Sequence, residues 1–210
     1  MKRLTFIILV LSCLSYSGHA QDISNIFLHV PSSVILGLDA SQKDMLVANP
    51  ESTSEVVVKR GSHGDVKRQA ISSDFISLKT SDAGTIQIKL LPLINDSKII
   101  CVVKTACSKM CDSQIEFYTT KWIPISQTLF PAKNKNWFIK SDADRESQDF
   151  KNAYAALDVN PMVITLSPTG TTLSISYDIK NYLSEEDYKK IQPFLTEKPR
   201  EFIWDKISYK

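Results

Sequence analysis

The sequence predicts an α+β fold: an antiparallel β-sheet meander with short helices packed on one face, and a weakly duplicated helix-then-strands unit. The hydrophobic period is helical from Asp22 to Ser52 and switches to two between Ser54 and Trp122. The order helix-then-strands then recurs beyond Ser141.

Ile23, Ile26, Phe27 and Val30 share a helical face that Pro31 stops, and Ser32 caps a short turn through Val34, Ile35 and Leu36 that ends at Gly37. Ser41 followed by Asp44 resembles a capping box. It opens a helix with Met45, Leu46 and Ala48 on its apolar side, closed by Asn49-Pro50.

Strands are expected at Glu55 to Lys59, Val66 to Ile71, Asp74 to Thr80, Thr85 to Leu93, Lys98 to Thr105 and Ser113 to Trp122. The separators are short and turn-rich: Gly61-Ser62-His63-Gly64, Ser81-Asp82-Ala83-Gly84 and Asn95-Asp96-Ser97. Connections this brief join antiparallel neighbours, because a parallel crossover takes a dozen residues or more. Ile76 and Leu78 alternate with Ser77 and Lys79, and Ile86, Ile88 and Leu90 alternate with Gln87 and Lys89. One face is therefore apolar and the other mostly polar, and the preceding helices are the expected cover.

Residues 131–210 read as a C-terminal helix-hairpin-helix-strand subdomain behind an N-terminal unit of residues 21–130. Ser141 with Asp144 again resembles a capping box, and Phe150, Ala153, Tyr154 and Leu157 form a helix face. Met162, Ile164 and Leu166 face one way on a strand, Ser167 to Gly170 form a turn, and Leu173, Ile175 and Tyr177 face one way on the return. Ser184 with Asp187 opens a helix bearing Tyr188, Ile191 and Leu195, limited by Pro193. Arg200 to Tyr209 is a strand pattern expected to pair with the hairpin.

The first twenty residues place Lys2-Arg3 ahead of an apolar run from Leu4 to Leu14 and end Gly18-His19-Ala20, the pattern of a secretory signal. The run is about half the roughly 20 residues of a spanning helix. No transmembrane span is expected, and the mature chain should start at Gln21 in the periplasm or at the cell surface. Val10-Leu11-Ser12-Cys13 offers a competing lipobox, in which Cys13 would be lipidated. The signal carries two of the 25 basic residues and none of the 23 acidic ones, leaving 23 of each. For a neutral chain without a basic stripe, nucleic acid is not the expected partner.

The order IFLHVPSSVI, then IKLLPL, then IICVVKTACSKMCDSQIEFYTTKW resembles an exported Bacteroidetes-type protein family of unknown function. The resemblance covers most of the mature chain. It implies an export signal and a small alpha and beta domain, and it defines no catalytic or binding residue.

Catalytic signatures are missing from the residues. The phosphate loop, the G-x-S-x-G elbow and H-E-x-x-H are absent. His29 and His63 do not complete a zinc set with Cys101, Cys107 and Cys111, and the latter two lack Cys-x-x-Cys spacing. The acidic run Asp142, Asp144, Glu146 has Ser147 and Ala153 where a calcium loop needs Gly and Glu, and Glu185-Glu186 fit a first helical turn. No catalytic residue, metal or cofactor is expected. Trp122, Trp137 and Phe138 are candidate ligand-facing aromatics, with core packing the competing role.

The expected function is a non-catalytic binding or assembly protein of the envelope, with an envelope protein, peptide or glycan as partner. The alternative is an envelope hydrolase with an unrecognised site. Cys101 shares a strand face with Ile99 and Val103 and reads as a core residue. Cys107 and Cys111 flank Ser108-Lys109-Met110, so they are placed to lie opposite one another as a disulfide across two strands.

Overall fold

A computed structural model describes residues 22–51 and 55–210. The signal reading of residues 1–20, the Cys13 lipobox and the Gln21 start lie outside the described residues. The period-two stretch forms a six-stranded antiparallel sheet in sequence order: β1 (Val56–Lys59), β2 (Asp65–Ile71), β3 (Phe75–Lys79), β4 (Gly84–Pro92), β5 (Lys98–Cys107) and β6 (Cys111–Thr119). Pairing is unbroken from Gly84↔Ala106 to Pro92↔Lys98 and from Ile99↔Thr119 to Cys107↔Cys111. β6 ends three residues before the expected Trp122. The chain turns there, Trp122 adopts a φ of 61°, and its amide donates to the Thr119 carbonyl.

Two helices precede the sheet, α1 (Ile23–Leu28) and α2 (Ala40–Val47). Asp39, rather than Ser41, opens α2. Its Oδ1 accepts from the Gln42 amide at 2.8 Å while Gln42 Oε1 accepts from the Asp39 amide at 2.9 Å. That reciprocal pair satisfies two helix-end donors, so it fixes the start two residues earlier. Leu46 is buried and Met45 is half exposed. The buried Arg68 guanidinium closes the other end of α2, donating to the Leu46, Ala48 and Asn49 carbonyls.

The expected helical cover accounts for one face only. Ile23, Phe27, Val30 and Leu46 pack there with Ile76, Leu78, Ile88, Ile100 and Val102. The opposite face carries a second core, in which Phe75, Leu91, Ile99, Cys101, Val103 and Phe117 meet side chains of residues 130–209. Both faces of the sheet are covered, and the C-terminal unit buries its apolar residues in a core shared with the first sheet.

That unit contains α3 (Gln148–Ala155), β7 (Met162–Leu166), β8 (Thr172–Tyr177), α4 (Glu185–Ile191) and β9 (Arg200–Ile203), with β7, β8 and β9 paired antiparallel in that order. It echoes the helix-then-strands order, with α4 inserted between β8 and β9. Ser147 caps α3 in place of Ser141, accepting from the Phe150 amide at 3.2 Å. Ser184 caps α4 as its spacing predicts.

β7 is an edge strand, and its outward amides need acceptors. Side chains of the first sheet provide them. The Met162 amide donates to Asp112 Oδ1 at 2.9 Å, the Ile164 amide to Ser113 Oγ at 3.0 Å, and the Leu166 amide to Gln87 Oε1 at 2.8 Å. Lys89, 1% exposed, pairs with Asp74 at 2.9 Å and donates to the Pro168 carbonyl at 3.2 Å. The polar face read from the alternation is thus the joint between the two sheets.

Candidate functional site around the β6 edge

Cys107 and Cys111 are directly opposed at the β5–β6 hairpin tip and are joined by a disulfide. Cys101 is wholly buried, as its strand face predicts, and burial pushes its thiol far above the ordinary range. A thiol kept protonated is a poor nucleophile. The buried Tyr209 hydroxyl lies beside it, without another partner among the described residues. His29 sits at the C-terminal end of α1, on the side of the sheet away from the core that holds Cys101, and its Nδ1 lies 3.0 Å from the Asn25 carbonyl. His63 belongs to an exposed turn. Among the described residues no cluster of three His, Cys, Asp or Glu side chains is placed to hold a metal.

The three candidate aromatics separate. Trp122 is buried and its indole donates to the Ile26 carbonyl at 3.0 Å, fastening the end of β6 to α1. Phe138 is 1% exposed and stacks on Tyr177 at 5.2 Å. Both rings pack within the two apolar cores, Phe138 in one and Trp122 in the other. Trp137 is half buried against Phe202 and Phe130, with the Arg200 guanidinium 5.8 Å from its ring.

Open surface lies instead around the outer edge of β6. After Trp122 the chain returns along this edge as a strap: the Thr119 amide donates to the Ile123 carbonyl and the Ile125 amide to the Phe117 carbonyl, each at 2.9 Å. The strap then swings away and comes back at Lys133, whose ammonium meets Asp112 at 2.6 Å. A groove of about 550 Å³ remains between, with Ile115, Glu116 and Phe117 on one side and Gln127, Leu129 and Phe130 on the other.

Beyond the strap lies an apolar depression of about 370 Å³, bordered by Leu93, Ile94, Ile99, Ile125, Leu129 and Ile207. Two tight turns present its exposed members. Ile94 precedes Asn95-Asp96, where Asp96 has a φ of 61°, and Ile207 follows Lys206, with a φ of 72°. Asp205 Oδ1 secures the second turn by accepting from the Ile207 and Ser208 amides at 3.0 and 2.9 Å.

Glu116 is the acidic group lining the groove, which Lys133 also borders. Burial opposes its ionisation, but hydrogen bonds from Tyr118 at 2.7 Å and Lys104 at 2.9 Å prevail, holding the carboxyl below its ordinary range. Burial together with the same carboxylate pushes the Tyr118 hydroxyl up to about 12. A carboxylate already bonded to two donors suits a fixed wall of the groove better than proton transfer.

The family described as Protein of unknown function (DUF3256) matches residues 15–209. The chain belongs to that family. Among solved structures, a domain of an uncharacterized protein from Porphyromonas gingivalis W83 is similar, with 28% identity and a TM-score of 0.78 over 89% of this chain and 96% of that one. No curated protein matches. The resemblance to a Bacteroidetes family of unknown function therefore holds, on these two likenesses. For this DUF3256 member the sequence marks neither the groove nor the apolar depression as such. Their signals are Pro124 and Pro131, which bracket the strap, and an isoleucine beside each of two turns.

Proposed function

We propose that the protein is exported and works without catalysis, as a binding or assembly component of the cell envelope that receives a polypeptide around the 123–131 strap. The observation that carries this reading is the exposure of Ile94 and Ile207, at 69 and 55%, on one apolar depression, with the strap residue Ile123, 58% exposed, two positions from its lining residue Ile125. Single exposed isoleucines are ordinary, whereas two that border one apolar depression make a surface that gains by being covered. The surface is aliphatic, which favours polypeptide side chains over a glycan, since sugar rings stack on exposed aromatics. Export is supported by the Lys2-Arg3 and Leu4 to Leu14 pattern and by the disulfide, which persists in oxidising compartments.

The test compares wild type with an Ile94→Asp, Ile207→Asp double variant as affinity baits for solubilised envelopes. The expected result is an envelope polypeptide retained reproducibly by the wild type and lost by the variant, with unchanged circular dichroism. Identical retention by both proteins would refute the assignment of this surface.

A further inference from the structure

We propose that the Cys107–Cys111 disulfide is a redox-modification site whose oxidation state sets how firmly the second sheet is held against the first. Three consecutive residues that begin at Cys111 form one end of the joint, beside the Gln87 and Lys89 bonds. The Cys111 amide donates to Asp178 Oδ2 at 2.5 Å, Asp112 Oδ1 accepts from Met162, and Ser113 Oγ accepts from Ile164. Asp178 directly follows β8, and its amide donates to the Pro161 carbonyl, so the acceptor of the Cys111 bond is part of the β7–β8 hairpin. All of these bonds require residues 111–113 to keep one register and one facing. A one-residue slip in a strand turns every side chain to the other side. The disulfide pins that register at its outer end, where only a three-residue turn closes the hairpin.

Both cysteines are partly exposed at the tip, whereas Cys101 is buried. A dithiol reductant thus reaches one bond and leaves the third cysteine alone. The thiolate of the reductant attacks one sulfur of the pair, forms a mixed disulfide and expels the other as thiolate. The second thiol of the reductant then closes on the first. Both cysteines end as thiols, the reductant ends as a disulfide, and two electrons with two protons have been transferred. Without the cross-link the tip frays, the acceptors at Asp112 and Ser113 lose their fixed positions, and the β7 amides open more often.

The experiment treats the folded protein with dithiothreitol and reads thiol alkylation together with amide hydrogen exchange. Cys107 and Cys111 should become alkylatable while Cys101 stays protected. Exchange at the Met162 and Ile164 amides should accelerate by about tenfold, within what closing so short a loop supports. The amides of Ile88 and Ile100, deep in the first sheet, should be unaffected. A Cys107→Ser, Cys111→Ser variant should exchange fast at the same amides with or without reductant, and the wild-type comparison decides alone if that variant does not fold. A disulfide that resists the reductant, unchanged exchange at Met162 and Ile164, or equal acceleration throughout the chain would overturn the proposal.

Discussion

The Ile164 amide donates to Ser113 Oγ at 3.0 Å, joining the edge of the small sheet to the last strand of the large one across 51 positions of sequence. The same hydroxyl lies 2.8 Å from Thr105 Oγ1, and Ser113 is fully buried. One small side chain thus serves an edge-strand donor and a neighbouring hydroxyl inside the joint.

Replacing Ser113 with alanine should leave the Ile164 amide buried without its acceptor. The expected loss is about 1–3 kcal/mol, the usual cost of an unsatisfied buried polar group. Urea unfolding with an unchanged m value is the check, and a neutral effect would mean that another acceptor takes over.

Lys89 and Asp74 should respond asymmetrically. Lys89 is buried, while the Asp74 side chain is 36% exposed and also receives the Ser72 hydroxyl at 3.1 Å. Asp74→Ala strands a buried ammonium and should cost about 3–5 kcal/mol, the range for breaking a buried pair from one side. Lys89→Met leaves a carboxylate that water still reaches, so it should cost clearly less. Equal losses in the two denaturation curves would contradict the burial argument.

Arg68→Met should detach the end of α2. The guanidinium satisfies three carbonyls that close the helix, and a methionine fills the volume without donating. A loss of about 1–3 kcal/mol is expected. Amide exchange should rise first in residues 40–48.

Asp205 supplies a pH dependence. Its carboxyl is drawn down to about 2, chiefly by Lys210 and then by the Ser208 amide. The folded value lies below the unfolded one, about 3.9 for an aspartate. Its contribution is therefore present above the unfolded value and lost as the pH falls through about 2. An NMR titration should show the Ile207 and Ser208 amide shifts moving in that window, and Asp205→Asn should abolish the movement.

The strands and most helix positions were legible because alternation and turn residues report on local geometry. Ser147, directly before Gln148 and Asp149, gives no stronger a sequence signal than Ser141, and the choice between them rests on which hydroxyl meets a free amide. The face bearing Gln87 and Lys89 read as mostly polar with no cover assigned to it, since polar alternation looks the same whether water or another strand supplies the partners. Trp122 and Phe138 read as candidate ligand-facing aromatics with core packing the competing role, and only tertiary packing distinguishes the two. The disulfide was legible because its two positions are fixed by hairpin pairing alone.

The most direct test of the binding surface is a photo-crosslinking residue introduced at Ile207 in the native host, with a second at Met45, a half-exposed apolar residue of α2 on the other side of the large sheet. The account predicts a discrete crosslinked polypeptide from position 207, absent from position 45 and lost when Ile94 is changed to aspartate. No adduct at position 207, or the same adducts at both positions, would contradict it.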